Sequence, residues 1–375
     1  MKLIYITNAR MPTEKAHGIQ IMKMCQAFTL TGLEVKLVVP WRFNKIKKSP
    51  FDYYSIRKNF RIKKLPSLDI IPLGIPKICF WIQNLTFALS LFLYLIFGKA
   101  DIIFSRDLFS LWFLSFFKKN LIYEAHTFPG HFFLYEKVFR KAKAVITITQ
   151  KLKELLIEQD IPANKILVAP DGVDLEEFDI KESQEQCRQK LNLPLDGKII
   201  GYVGQLKTME MEKGIAGLIK ATRKVKNTLC LVGGQESDIV GYKKMASKMN
   251  LTNNILFIGQ VRHCLIPYYL KSFDILVMPF PWTKHYAYYM SPLKMFEYMA
   301  AQKPIVASDL PSIREILNDN NAVLVEPDNP QSLAKAINQT LKNPDFSAKI
   351  AAQAYQDVQE YTWQKRVKKI LNFIN

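Results

Sequence analysis

Short apolar, β-prone runs alternate with helix-forming stretches along nearly the whole chain, and this rhythm constrains the fold more than any other feature. KLIYIT (Lys2–Thr7) leads through a loop to a helix over Gly18–Leu30, which Gly32 stops, and VKLVVP (Val35–Pro40) follows. DIIFS (101–105), LIYEA (121–125), AVITIT (144–149) and KILVAP (165–170) continue the series. The second half repeats it with KIIGYVG (198–204), TLCLVGG (228–234), NILFIG (254–259), DILVMP (274–279), KPIVAS (303–308) and AVLVEP (322–327). Strands this short and this evenly apolar are buried on both faces, the pattern of a parallel sheet covered by crossover helices. Amphipathic stretches such as Gly214–Lys226 and Leu333–Leu341 supply such helices.

A chain of 375 residues exceeds one ordinary core. The segment 171–185 is acidic and less apolar, and is read as the linker. The expected domains are 1–175 and 176–360, with a terminal helix in 361–375 packing back toward the first. The fold class predicted is α/β: two facing, Rossmann-like, doubly wound parallel-sheet domains with an interdomain cleft. Ligands in such sheets bind beyond the carboxyl ends of the strands.

Charge is distributed unevenly. Residues 1–150 hold 23 basic and 8 acidic side chains, whereas residues 151–375 hold 29 and 25. The first half therefore carries most of the net charge of +19, which points to an anionic partner there. Between Arg42 and Lys64 nine basic residues face one acid, Asp52, with Phe43, Phe51, Tyr53, Tyr54 and Phe60 interleaved. No helix-turn-helix, zinc or RNA-binding signature accompanies them, so nucleic acid is not the expected partner. Anionic lipid headgroups fit better, at about 1 kcal/mol per basic residue near the surface.

Residues 78–97 carry no charge and are long enough to cross a bilayer. However, Gln83, Thr86, Ser90 and Tyr94 form a polar stripe, and strand patterns lie on both sides. A spanning helix would split one sheet across the membrane. The expectation is a helix of the domain, either wholly buried or also touching the membrane surface. The five cysteines are widely spaced without a CxxC pair, which argues against a disulfide scaffold or structural zinc. With no apolar leader in MKLIYITNAR, a cytoplasmic setting is expected.

Two familiar phosphate motifs are missing. After Lys2–Thr7 and after Ile199–Val203 there is no GxGxxG, and GxxxxGK[ST] does not occur, so dinucleotide and P-loop chemistry lose their sequence support. The strongest local signal is instead SPLKMFEYMA (Ser291–Ala300). Ser291 suits an N-cap and Pro292 the first helical position. The free amides and positive dipole end of such a helix suit a diphosphate. Lys294 in the first turn opposes the dipole unless an anion sits nearby, and Glu297 follows it on the same face.

This stretch, extended to SPLKMFEYMAAQKPIVASDLPSIREIL (291–317), resembles the signature region of family-4 retaining glycosyltransferases of the GT-B fold. Further pieces match in order: HGIQ (His17–Gln20), YEAH (Tyr123–His126), APDGVD (Ala169–Asp174), GYVG…EKG (Gly201–Gly214), LVGG (Leu231–Gly234) and FIGQVR (Phe257–Arg262). The resemblance implies transfer of a sugar from a nucleotide-sugar donor to a glycan or lipid-linked acceptor, with retention and without a cofactor or metal. It implies that Glu297 contacts the ribose, that the amides around Ser291, Pro292 and Leu293 cradle phosphate, and that Lys213 neutralises the diphosphate. Gly18, Gly233 and Gly234 would line the donor site, Val261 and Arg262 the base, and His126 the transferred sugar. Two positions depart from the pattern: Tyr289 replaces the first carboxylate of E-x7-E, and Gln205 replaces an upstream arginine. Lys207 or Lys294 is expected to supply the missing charge. Two other readings stay open: an epimerase of the same shape, and a non-catalytic nucleotide-sugar binding protein.

Overall fold

In the computed structural model the alternating pattern becomes two parallel sheets. The structure describes residues 1–70, 76–96, 98–208 and 211–375. Chain segments group into a first unit, Met1–Pro170 with Trp363–Asn375, and a second, Asp171–Thr362. The division therefore falls at 170/171 rather than 175/176. The acidic stretch read as a linker belongs to the second unit, where Leu175–Phe178 and Gln184–Lys190 are helical. In the latter, Ser183 and Gln186 form a reciprocal capping box.

The first unit holds β1 (Lys2–Ile6), β2 (Glu34–Pro40), β3 (Arg61–Leu65), β4 (Ile102–Ser105), β5 (Leu121–Ala125), β6 (Ala144–Thr147) and β7 (Ile166–Val168). They pair in parallel in the order β3-β2-β1-β4-β5-β6-β7. The chain runs outward from β1 to β3 and then crosses to β4, so the switch point lies between β1 and β4. Sequence reading missed β3 because RIKKL looks like part of a basic patch. It is the sheet's edge, where exposed Arg61, Lys63 and Lys64 discourage pairing with another strand.

The second unit holds β8 (Ile199–Val203), β9 (Lys207–Thr208), β10 (Met211–Glu212), β11 (Thr228–Val232), β12 (Ile255–Gly259), β13 (Ile275–Met278), β14 (Ile305–Ser308) and β15 (Val323–Val325). Its main sheet is parallel, in the order β12-β11-β8-β13-β14-β15, with the switch point between β8 and β13. β9 and β10 form a separate antiparallel pair that periodicity did not reveal. Both units are thus of the doubly wound class. Apolar clusters cover both faces of the second sheet, one around Phe273, Phe296 and Met299, the other around Ile219, Leu231 and Ile337.

The long apolar helix spans Pro76–Ile96; residue 97 lies outside the described residues. Its polar stripe faces inward. Gln83 and Asn84 are buried and exchange amide hydrogen bonds with Asn8, at 2.7–3.0 Å. The Thr86 hydroxyl accepts from the Leu68 N–H, and Ser90 donates to the Pro66 carbonyl. Phe87, Leu91 and Leu95 enter the core on the same side. The outward row is Ile78, Trp81, Leu85, Leu89 and Leu93, each 53–59% exposed. This reverses the usual polarity of a surface helix.

The terminal helix Trp363–Ile374 belongs to the first unit, burying Val367, Ile370 and Ile374. Arg366 anchors it, with its guanidinium on Glu124 at 2.5 Å and on the Ala169 and Pro170 carbonyls.

Candidate functional site

In the second unit, a cationic cluster forms beyond the carboxyl ends of β8, β11 and β13. Gly204 ends β8, and its N–H donates to the Val232 carbonyl at 2.8 Å, while the Gly233 N–H donates to the Gly259 carbonyl at 2.7 Å. These bonds stitch together the loops that carry Gln205, Gly233, Gly234, Val261 and Arg262. Gly233 must be glycine: its φ is +107°, and a Cβ would lie 2.5 Å from the Gly204 carbonyl oxygen. Gln205 contributes its backbone oxygen to the Tyr202 hydroxyl, at 2.8 Å.

The helix Leu293–Ala300 starts in this region, and Lys294 occupies its first turn. Lys294 is 8% exposed, and among the described residues its ammonium has no hydrogen-bond partner. The Nζ lies 3.6 Å from the centroid of the Tyr202 ring and 5.6 Å from that of Phe280. Burial, then the charge of Lys213, pushes its amine well below the ordinary lysine range; Glu297 opposes them only in part. Lys213 itself is lowered to about 8 by burial. It is fixed by Gly214, whose left-handed φ of +81° begins the helix Ile215–Val225 and whose Cα packs against the Pro279 carbonyl. The Lys213 N–H donates to the Leu206 carbonyl. Burial thus drives two lysines toward neutrality beside a helix N-terminus, an arrangement whose charged form an anion would stabilise.

Three sequence expectations are corrected here. Ser291 is not the N-cap. Its hydroxyl, buried, accepts the Asp171 N–H at 2.9 Å, which ties the APDGVD segment to this loop. Pro292 is the extended N-cap residue, with φ −77° and ψ 126°, and the helix begins at Leu293. The amides at its start are therefore those of Leu293 and Lys294, since the Met295 N–H already donates to the Pro292 carbonyl. Lys207 does not supply the missing charge, because it pairs with Asp238 at 3.3 Å. Gly18 is not left open for a ligand: a Cβ there would fall 2.0 Å from the Tyr54 hydroxyl, which binds both the N–H and the carbonyl of Thr13.

Tyr289 is buried at the end of the short helix Lys284–Tyr288. Glu297 is half-buried, 3.9 Å from the His263 imidazole. Val261 packs against the core, and Arg262 is exposed. The structure puts His263 beside Glu297 and His285 near Lys213, whose charge adds to burial in lowering that imidazole. His285 precedes Ser291 by six residues and His263 follows β12 by four, so position at a strand end or loop was the available signal.

His126 lies in the first unit, at the end of β5. Its Nε2 is 3.5 Å from Glu124, a fully buried carboxylate. Tyr5 and Gln20 also donate to Glu124, at 3.0 and 3.1 Å. Burial works against the charged carboxylate, but Arg366, then His126 and Arg106, outweigh it and hold it well below the ordinary range. Among the described residues, no group of three or more His, Cys, Asp or Glu side chains gathers as metal ligands.

Comparison with known proteins places the chain in a family. Residues 18–177 match the family model described as Glycosyltransferase Family 4, and residues 183–357 match Glycosyl transferases group 1. The chain belongs to the family-4 glycosyltransferases of the GT-B fold. It is 30% identical to an uncharacterized glycosyltransferase of Methanocaldococcus jannaschii over 237 residues, 61% of this chain and 58% of that protein. It is 26% identical to TuaC of Bacillus subtilis, a glycosyltransferase provisionally named for teichuronic acid biosynthesis, over 62% of this chain and 56% of that one. The chain thus spans a little over half the length of these two curated relatives. Among solved structures, Anabaena HepE in complex with UDP superposes with a TM-score of 0.76 over 99% of both chains, at 17% identity.

Proposed function

We propose that the protein transfers a sugar from a nucleotide-sugar donor to a glycan or lipid-linked acceptor, with retention, in the synthesis of a cell-surface glycan or glycolipid. The observation that carries this reading is Lys294: a buried, unpartnered ammonium in the first turn of a helix, beside a second depressed lysine, Lys213. A diphosphate there meets two cations and the Leu293 and Lys294 amides. As the anomeric bond breaks, negative charge grows on the leaving phosphate, and donors already in place stabilise it without reorganising. Glu297 is the group offered to the ribose hydroxyls, with Gly233, Gly234, Val261 and Arg262 on the strand-end loops that flank the nucleoside. Tyr289 stands where the family has a carboxylate, so the donor sugar is read differently here. The family resemblance assigns His126 to the transferred sugar. No cofactor or metal enters this scheme; the nucleotide sugar is a co-substrate.

The acceptor side is proposed to work at the cytoplasmic face of an anionic membrane. The outward row from Ile78 to Leu93 is wholly apolar. Beside it, Lys36 sits 5.8 Å from the Tyr94 ring, and β3 exposes Arg61, Lys63 and Lys64. An apolar stripe with a cationic border fits anionic lipid headgroups.

A panel of nucleotide sugars tests the catalytic reading. Nucleotide released only when acceptor is added supports transfer. An isomerised donor replaces it with an epimerase, and binding without turnover with a non-catalytic binder.

A further inference from the structure

The antiparallel pair of β9 and β10 ends in two residues that face opposite ways, as successive strand residues do. Lys213, directly after β10, is turned toward the cationic cluster, where its charge acts on Lys294 and His285. Glu212, the last residue of β10, is turned toward two helices instead. Its Oε1 accepts the Ala216 N–H at 2.5 Å, in the first turn of the helix Ile215–Val225. Gly214, the N-cap of that helix, has no side chain with which to do this, so Glu212 takes the part. The Tyr242 hydroxyl, on the helix Glu236–Lys248, donates to the same carboxylate; burial, then the charge of Glu212, pushes that hydroxyl up. Lys207, opposite Glu212 in the pair, meets Asp238 of the same helix at 3.3 Å. Both strands of the pair are thus fastened to one helix.

Lys213 is held on its other sides as well. Its N–H donates to the Leu206 carbonyl at 3.2 Å, and a Cβ on Gly214 would lie 1.5 Å from the Pro279 carbonyl oxygen. A lysine stem is flexible, so the place its ammonium reaches depends on where its backbone is fixed. We propose that Glu212 is a positioning residue for sugar transfer: by capping the helix at Ala216 and holding Tyr242, it fixes the backbone that aims Lys213 at the leaving diphosphate. The proposal rests on the nucleotide-sugar reading and adds to it a residue that touches no donor atom. A carboxylate next in sequence to a phosphate-binding lysine would ordinarily repel the phosphate. Here its charge lies on the far side of the strand, satisfied by a helix amide, a hydroxyl and the positive end of a helix dipole.

Isothermal titration on the full chain tests this with UDP, GDP and ADP, and with the nucleoside of whichever binds tightest. For that nucleotide, Glu212→Ala is expected to weaken binding about 10-fold and Tyr242→Phe about 3-fold, as a displaced charged donor does. Nucleoside affinity should stay within about 2-fold, because Lys213 meets only phosphate. Glu212→Gln, whose amide oxygen still accepts both bonds, should restore nucleotide binding. In a Lys213→Met background, Glu212→Ala should add no further loss. The parent's affinity should weaken above about pH 8, as Lys213 loses its proton, and Glu212→Ala should flatten that profile. Equal losses of nucleotide and nucleoside, or a loss that adds in full to that of Lys213→Met, make Glu212 a structural cap and overturn the proposal. Nucleotide binding that Lys213→Met weakens and Glu212→Ala leaves untouched overturns it alone, with the donor reading intact. No binding of any of the three nucleotides to the parent removes the donor reading and the proposal with it.

Discussion

Replacing Lys294 with Met should leave stability nearly unchanged and weaken ligand affinity. The amine is 8% exposed and makes no hydrogen bond among the described residues, which costs about 1–3 kcal/mol for an unsatisfied buried group. Part is offset by the contact with the Tyr202 ring at 3.6 Å, worth about 1–2 kcal/mol when desolvated. Met keeps the length of the side chain and fills the slot between Tyr202, Phe280 and Gly204 with apolar volume, at a strain of under about 1.5 kcal/mol. These terms nearly cancel, which leaves the variant within about 1 kcal/mol of the parent, or about 2–4 °C in Tm for a unit of this size. Binding of UDP should fall clearly. Losing a charge-assisted hydrogen bond to phosphate removes about 1.5–3 kcal/mol, which is roughly 10- to 100-fold in Kd. Scanning calorimetry and isothermal titration on the same preparation measure both quantities. A lower Tm with unchanged UDP affinity would refute the reasoning, because Lys294 would then be a structural residue that gains from its own surroundings.

Three other outcomes follow from the same structure. Lys213 is charged below about pH 8 and loses its proton as pH rises through that value, well before an ordinary lysine. UDP binding should therefore take up protons above pH 8 and weaken there, while the ligand-free protein gains stability between about 8 and 10.5, where the unfolded chain binds more protons; a pH-independent Kd up to pH 9.5 contradicts this. Arg366→Ala leaves Glu124 buried without its principal counter-charge and should cost about 3–5 kcal/mol in denaturant unfolding; a loss under 1 kcal/mol would show that Tyr5, Gln20 and His126 suffice. Leu85→Glu with Leu89→Glu places two charges on the exposed row and should abolish sedimentation with anionic vesicles at unchanged Tm; retained sedimentation removes that face from the membrane contact.

What the sequence disclosed and what it hid follow from one distinction. Burial on both faces of a parallel sheet forces apolar runs, so all but one of the strands of the two main sheets could be read within a few residues. β3 escaped because an edge strand is selected against pairing and carries charge where its neighbours carry aliphatics. At the site, position marked Lys294, since a lysine in a first helical turn is anomalous without an anion, and only the family resemblance marked Lys213. What the hydroxyl of Ser291 binds could not be read locally: it serves Asp171, 120 residues away, and no local capping rule anticipates a partner delivered by the fold. Gly18 shows the converse. The family resemblance placed Gly18 at the donor site, yet the neighbour it accommodates is Tyr54, brought in from the basic, aromatic stretch that composition assigned to the membrane. That stretch therefore has two roles of different origin. Its Tyr54 is buried and holds the loop at Thr13, while its cations on β3 are exposed to meet lipid. Replacing only the exposed Arg61, Lys63 and Lys64 thus separates the two: vesicle binding should fall while Tm, which reports the packing of Tyr54 against Thr13, is unchanged.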